Sequence, residues 1–152
     1  MKRFALTLVG AVHIVLLDAV AKEAAAFLLK GKAAFCVIPG FFNLAYVENR
    51  GCAWGMFQGA VWPLALFGAA AFAFAVWKRR ELFGGSAAAE CLLYAGIAGN
   101  LIDRVARGFV IDFIDLHLAD AWHFPCFNIA DVCITFAAAL LVLSSFRKPE
   151  RR

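Results

Sequence analysis

Two aspartates of this chain stand where a carboxyl group could do chemistry. Asp112 lies in Phe109-Val110-Ile111-Asp112-Phe113-Ile114-Asp115, enclosed by bulky apolar neighbours, surroundings that raise a carboxyl pKa by desolvation. Asp131 follows Asn128 at i, i+3 in Phe127-Asn128-Ile129-Ala130-Asp131. Two carboxyl groups that converge cannot both ionise comfortably and tend to share one proton. One then serves as base toward a water, while the other donates to a carbonyl oxygen and stabilises the tetrahedral intermediate. This is aspartic-peptidase logic, and it requires neither metal nor covalent intermediate. The spacing also has a plainer reading, in which Asn128 caps a helix and Asp131 suits the positive end of its dipole.

Other polar residues read as support. Asp18 and Lys22 are spaced i, i+4, which puts them on one helix face as a structural ion pair. Asn100, Asp103 and Arg104 in Gly99-Asn100-Leu101-Ile102-Asp103-Arg104 also share a helix face. A guanidinium stays protonated and donates several hydrogen bonds, so it orients neighbours more readily than it reacts. The trio reads as scaffold around a site, with a snorkelling Arg and its partner as the alternative. His13 reads as a packed or hydrogen-bonded histidine, and His117 and His123 as outer-loop residues. Ser86, Ser144 and Ser145 fall at the ends of helices away from the acids, so no Ser/His/Asp arrangement is expected. Cys36, Cys52, Cys91, Cys126 and Cys133 are odd in number and lack Cys-x-x-Cys or Cys/His spacing, which argues against a disulfide framework or a zinc site. They read as small apolar fillers, and neither metal nor cofactor is expected.

The elements that must position these residues are set by composition. Of 152 residues, 64% are hydrophobic and 17% charged, against about 45–50% and about 25% in soluble domains. With 16 Phe and a mean hydropathy of +0.78, the apolar surplus exceeds what a core of this size hides from water. A soluble globule is excluded, and the chain reads as an integral membrane protein. Stretches at about 4–22, 61–78, 87–106 and 127–146 meet or approach the roughly 20 apolar residues that cross a bilayer. The first resembles a signal peptide, but it lacks a small-residue cleavage site and carries Asp18 and Lys22, so it is expected to be retained.

Lys2 and Arg3, Lys78-Arg79-Arg80, and Arg147, Lys148, Arg151 and Arg152 fall at alternate ends of these stretches. By the positive-inside rule those ends, and hence both termini, face the cytoplasm. The net charge of +4 is then topological, with no nucleic-acid partner implied. Trp62 and Trp77 bracket the second stretch as interfacial anchors do. The segment at about 36–58 mixes Phe, Tyr and Val with Asn and Gly and predicts a small outer sheet, while about 107–126 reads as an outer loop or helix. No repeat or separate soluble domain is visible, so residues 1–152 read as one membrane domain.

Five blocks in order carry a family resemblance. They are Asp18-Ala19-Val20-Ala21-Lys22, Asn43-Leu44-Ala45-Tyr46-Val47-Glu48-Asn49-Arg50-Gly51-Cys52-Ala53-Trp54-Gly55, Gly99 to Arg104, Gly108-Phe109-Val110-Ile111-Asp112-Phe113, and Phe127 to Asp131. With them the chain resembles the lipoprotein signal peptidases, or signal peptidase II, a family of bacterial membrane aspartic peptidases. The resemblance implies an all-α membrane fold with four transmembrane helices and a small extracytoplasmic β-cradle between helices 1 and 2. It implies Asp112 and Asp131 as the catalytic pair, with Asn49, Gly51, Asn100, Arg104 and Asn128 lining the substrate site and Asp18, Lys22 and Asp103 in support. The implied substrate is a diacylglyceryl-modified prolipoprotein, cut on the amino side of its lipidated lipobox cysteine. The expected setting is the bacterial cytoplasmic (inner) membrane, with membrane lipid as the other partner, a monomeric enzyme, and the active site near the extracytoplasmic face. Cys52 and Trp54 depart from the Ala and Phe usual in the family. A proton-coupled transporter, in which the same acids relay protons, and a silent packing subunit are the competing classes.

Overall fold

The computed structural model describes residues 2–119 and 122–146; the basic residues Arg147, Lys148, Arg151 and Arg152 lie outside them. Five helices and four strands follow one another: α1 (Lys2–Leu29), β1 (Phe35–Ile38), β2 (Phe42–Asn49), α2 (Val61–Trp77), α3 (Arg79–Phe83), α4 (Ala87–Arg107), β3 (Val110–Leu118), β4 (Trp122–His123) and α5 (Ile129–Phe146). A 3-10 turn at Ala53–Gly55 joins the first strand pair to α2.

α1 and α5 are each long and apolar enough to cross a membrane, and α2 is a shorter apolar helix of 17 residues. Their burial is inverted relative to a soluble protein. Large side chains such as Phe27, Phe67, Phe136 and Phe146 are exposed, while the buried positions include Ala11, Ala25, Ala65, Ala75 and Ala137. Small interior residues let helices approach closely where lipid removes the hydrophobic drive between them. α4 is the hub, packing against α1, α2 and α5. A Cβ on Gly96 of α4 would stand 2.5 Å from the Ala130 carbonyl oxygen and 2.6 Å from Ile134 Cγ1, so the α4–α5 contact requires glycine there. Ser86 caps the start of α4 by accepting from the Ala89 N–H, and Gly108 ends it in the left-handed region at φ 77°.

The sheet departs from expectation in its origin. It is antiparallel, ordered β1-β2-β3-β4, and half of it comes from the segment after α4 rather than from between the first two long helices. The stretch expected as an outer loop or helix is therefore largely strand. Val110, Ile111, Phe113 and Ile114 favour extended backbone, and pairing Asn49↔Val110, Val47↔Asp112 and Asn43↔Asp115 gives β2 the partner it needs. α1 also runs on to Leu29, well past 22, so Asp18 and Lys22, 2% and 1% exposed, sit inside the bundle and not at a helix end.

Candidate active site

One asparagine joins the two acids. Asn128 immediately precedes α5 and is fully buried. Its Nδ2 donates to Asp112 Oδ1 at 2.7 Å, and its backbone N–H donates to Asp131 Oδ2 at 3.2 Å. Its Oδ1 in turn accepts from the Asp131 N–H at 3.0 Å. The exchange between Asn128 and Asp131 is a reciprocal cap of the capping-box kind. Cap and site coincide: the residues that begin α5 also bring Asp131 beside Asp112.

Each acid has further donors. Asn49, at the end of β2, donates from Nδ2 to Asp112 Oδ2 at 2.9 Å, and Asn100 of α4 donates to Asp131 Oδ1 at 2.7 Å. Asp112 is 2% exposed. Burial first, and the nearby Asp131 carboxylate second, push its carboxyl up to about 7 against the opposing hydrogen bonds of Asn49 and Asn128.

Beneath the pair lies a buried ionic layer. Lys22 Nζ stands 2.7 Å from Asp18 Oδ2, 3.0 Å from Asp103 Oδ2 and 3.3 Å from Asn100 Oδ1. Asp18 Oδ1 accepts the Ala130 N–H at 3.0 Å, satisfying a donor that the first turn of α5 leaves without an intrahelical partner. Asp103 accepts from Arg107 Nε at 3.0 Å and from the Ile111 N–H at 3.3 Å, which ties the end of α4 to β3. Arg107 also pairs with Glu23, a contact between α4 and α1 that no local spacing signals. The i, i+4 spacing of Asp103 and Arg107 carries the first pairing, but not the partner on α1.

Arg104 reaches the other way. Its guanidinium donates to the Gly51 carbonyl at 3.0 Å and to the Asn100 carbonyl at 3.3 Å. The Gly51 N–H donates to Asn49 Oδ1 at 2.9 Å. A Cβ at Gly51 would sit 2.4 Å from the Met56 carbonyl oxygen, so this turn closes only on glycine. Asn49, Gly51, Asn100, Arg104, Asn128 and the two acids thus form one connected network. Asp18, Lys22 and Asp103 join it through Asn100.

A cavity of about 360 Å3 opens over Asp112, with Asn49, Cys52, Trp54, His123 and Phe124 among its lining residues. Cys126 also lines it, and burial pushes that thiol up to about 12, so it stays protonated. His117 and His123 are not loop residues: they lie on β3 and β4, directly opposite one another.

Apolar helices with lipid-sized side chains outside, a sheet at one end and a buried carboxylate pair between them define a membrane protein with an internal polar site. The chain matches the family model described as signal peptidase (SPase) II over residues 10–147 and belongs to that family. It is 40% identical over 121 residues to a lipoprotein signal peptidase of Chromobacterium violaceum, covering 76% of this chain and 75% of that one. A lipoprotein signal peptidase of Paraburkholderia phymatum is 38% identical over 144 residues, covering 91% and 86%. A solved bacterial membrane enzyme, determined by the in meso method at 2.3 Å resolution, superposes with a TM-score of 0.83 at 31% identity, over 97% of this chain and 94% of that one. A second, at 1.9 Å resolution, gives 0.79 at 32% identity, with 95% of each chain covered. The protein is a bacterial membrane peptidase, a hydrolase.

Proposed function

We propose that this protein is a membrane aspartic endopeptidase that removes signal peptides from diacylglyceryl-modified prolipoproteins, cutting on the amino side of the lipidated cysteine. The observation that carries the reading is the bridge from Asn128 to both Asp112 and Asp131, with the Asp112 carboxyl pushed up to about 7. A pair that holds one proton near neutrality supplies a base and an acid together. The ionised carboxylate takes a proton from water, the water oxygen attacks the scissile carbonyl, and the protonated carboxyl donates to the carbonyl oxygen. Collapse of the tetrahedral intermediate, with a proton passed to the leaving nitrogen, breaks the peptide bond. No metal or cofactor is needed in this sequence.

Asn49, Asn100 and Asn128 fix the carboxylates, while Arg104 holds the Gly51 turn that edges the cavity. Asp18, Lys22 and Asp103 lock α1, α4 and α5 beneath them. In this reading α1, α2, α4 and α5 all span the bilayer, both termini are cytoplasmic, and the acids lie near the outer face. Acyl chains remain in lipid while the peptide bond crosses the cavity, which pre-orders it over the pair. The enzyme acts as a monomer and has no nucleic-acid partner. A proton relay would need ionisable stations leading inward. On α4 the next carboxylate is Glu90, held by Arg79 at 2.7 Å, and His13 bonds its own helix carbonyl at Val9.

The test is cleavage of a diacylglyceryl-modified prolipoprotein by the reconstituted protein beside Asp112→Asn and Asp131→Asn. Loss of cutting in both folded variants, and none of an unlipidated precursor by the wild type, is expected. Full activity in either variant would sink the pair, and an inactive wild type would favour the transporter or packing-subunit reading.

A further inference from the structure

We propose that Asp115, His117 and His123 form a binding site for a divalent transition-metal cation of the zinc class, built on the outer sheet apart from the acid pair. Asp115 and His117 alternate along β3 and therefore share a sheet face. The register sets His123 of β4 directly opposite His117, and the two rings stack at 5.1 Å with 15° between their planes. Their candidate ligand atoms and a carboxylate oxygen of Asp115 all lie within 4.8 Å of one another.

An independent observation singles out His117. It is 7% exposed, and its Nδ1 has no hydrogen-bond partner among the described residues. A buried imidazole nitrogen left without a partner is costly, and a metal ion is a partner for its lone pair. This nitrogen stands 3.8 Å from Asp115 Oδ2, while His123 Nδ1 stands 3.3 Å from Asp115 Oδ1. Ligand bonds of about 2.0–2.2 Å in a tetrahedral site place donor atoms a little over 3 Å apart. The His123 side chain is 57% exposed, already bonded to Asp115 Oδ1, and has solvent space in which to close the remainder.

Two imidazoles and a carboxylate suit zinc, copper or nickel rather than magnesium or calcium. Asn43, paired opposite Asp115 in the sheet, donates to Asp115 Oδ2 at 3.1 Å, the outer-shell contact that orients a ligating carboxylate. Three protein ligands leave a fourth position for water. His123, Phe124, Pro125 and Cys126 line the cavity over Asp112, so an ion joining β4 to β3 would fasten that wall.

The experiment uses the full chain in detergent micelles, stripped with chelator and dialysed against Zn2+, with metal measured by mass spectrometry. One equivalent per chain is expected, retained after cysteine alkylation, absent in His123→Ala, and bound about tenfold more weakly in Asn43→Ala. Co2+ in place of Zn2+ is expected to give the visible absorption of a four-coordinate nitrogen–oxygen site, absent in His123→Ala. Because His123 is exposed, that variant does not disturb a packed core. Zinc that persists in His123→Ala, that alkylation removes, or that the wild type fails to retain would each overturn the site. The readout is metal content, so its outcome is independent of peptide cleavage.

Discussion

Asp112 accepts hydrogen bonds from two side-chain amides, Asn49 and Asn128, contacts that favour the charged carboxylate. Burial and the Asp131 charge nevertheless prevail and leave its carboxyl at about 7. In the proposed mechanism the pair titrates as a unit, so the consequence for catalysis has a definite sign. Below about 7 the shared proton is present; as pH rises through that value it is lost, two anions face each other, and the general acid disappears. The pH profile of kcat/KM should therefore show an alkaline limb near pH 7. Asn49→Ala removes a donor to the carboxylate, so the proton is held more tightly and the limb should move to higher pH. A limb unmoved, or moved downward, would show that the loss of activity belongs to another group. Asp112→Asn should lower kcat by on the order of 10²–10⁴, the usual contribution of a positioned acid or base, with substrate binding retained.

At the scale of elements, the fold depends on a few contacts that link helices of distant sequence. Lys22 pairs with Asp18 on its own helix and with Asp103 on α4, which Arg107 also holds. Removing one member of a buried ionic set leaves uncompensated charge, which costs about 3–5 kcal/mol. Lys22→Met should accordingly lower the thermal midpoint in detergent far more than a change at an exposed side chain such as Phe67→Ala. Gly96→Ala sets a methyl against the Ala130 carbonyl; the backbone cannot yield as a side chain would, and overpacking of this kind costs about 1–3 kcal/mol. Melting of Gly96→Ala beside Gly68→Ala, where nothing lies within 4 Å of the added Cβ, checks this. The apolar helices α1 and α5 were legible in the sequence because lipid imposes a length and an apolar run. The carboxylate network was legible as residue types, with Asn128 and Asp131 open to both a cap and a site, and the structure makes the cap the device that sets Asp131 beside Asp112. Strand β3 was not legible, because Val110-Ile111-Asp112-Phe113 lacks a clean polar alternation when both faces are covered. The Asp115, His117 and His123 cluster was hidden for another reason. Only the register between β3 and β4 makes neighbours of His117 and His123, and a spacing of six carries no helical or metal-ligand signature.

Across the whole molecule, the acid pair and the basic clusters at Lys2-Arg3 and Lys78-Arg79-Arg80 lie at opposite ends. The sheet and the acid pair occupy the end where α1 and α4 finish and α2 and α5 begin. Lys78, Arg79 and Arg80 lie at the other end, between α2 and α4, where the Arg79 guanidinium stacks 3.8 Å over the Phe4 ring near the start of α1. That contact brings the basic clusters at Lys2-Arg3 and at Lys78-Arg79-Arg80 to one face of the bundle, as a single cytoplasmic surface requires. The wild-type thiol of Cys36 is exposed on β1, at the opposite end. In a chain whose other cysteines are changed to alanine, a membrane-impermeant maleimide added to intact spheroplasts should therefore label Cys36. A second chain, with Cys36 also replaced and Lys78→Cys introduced, should label only after the membrane is opened. Labelling of both from outside would break the proposed topology. The reverse pattern would turn the molecule over, placing Asp112 and Asp131 in the cytoplasmic leaflet, where a peptidase acting on exported precursors has no access to its bond.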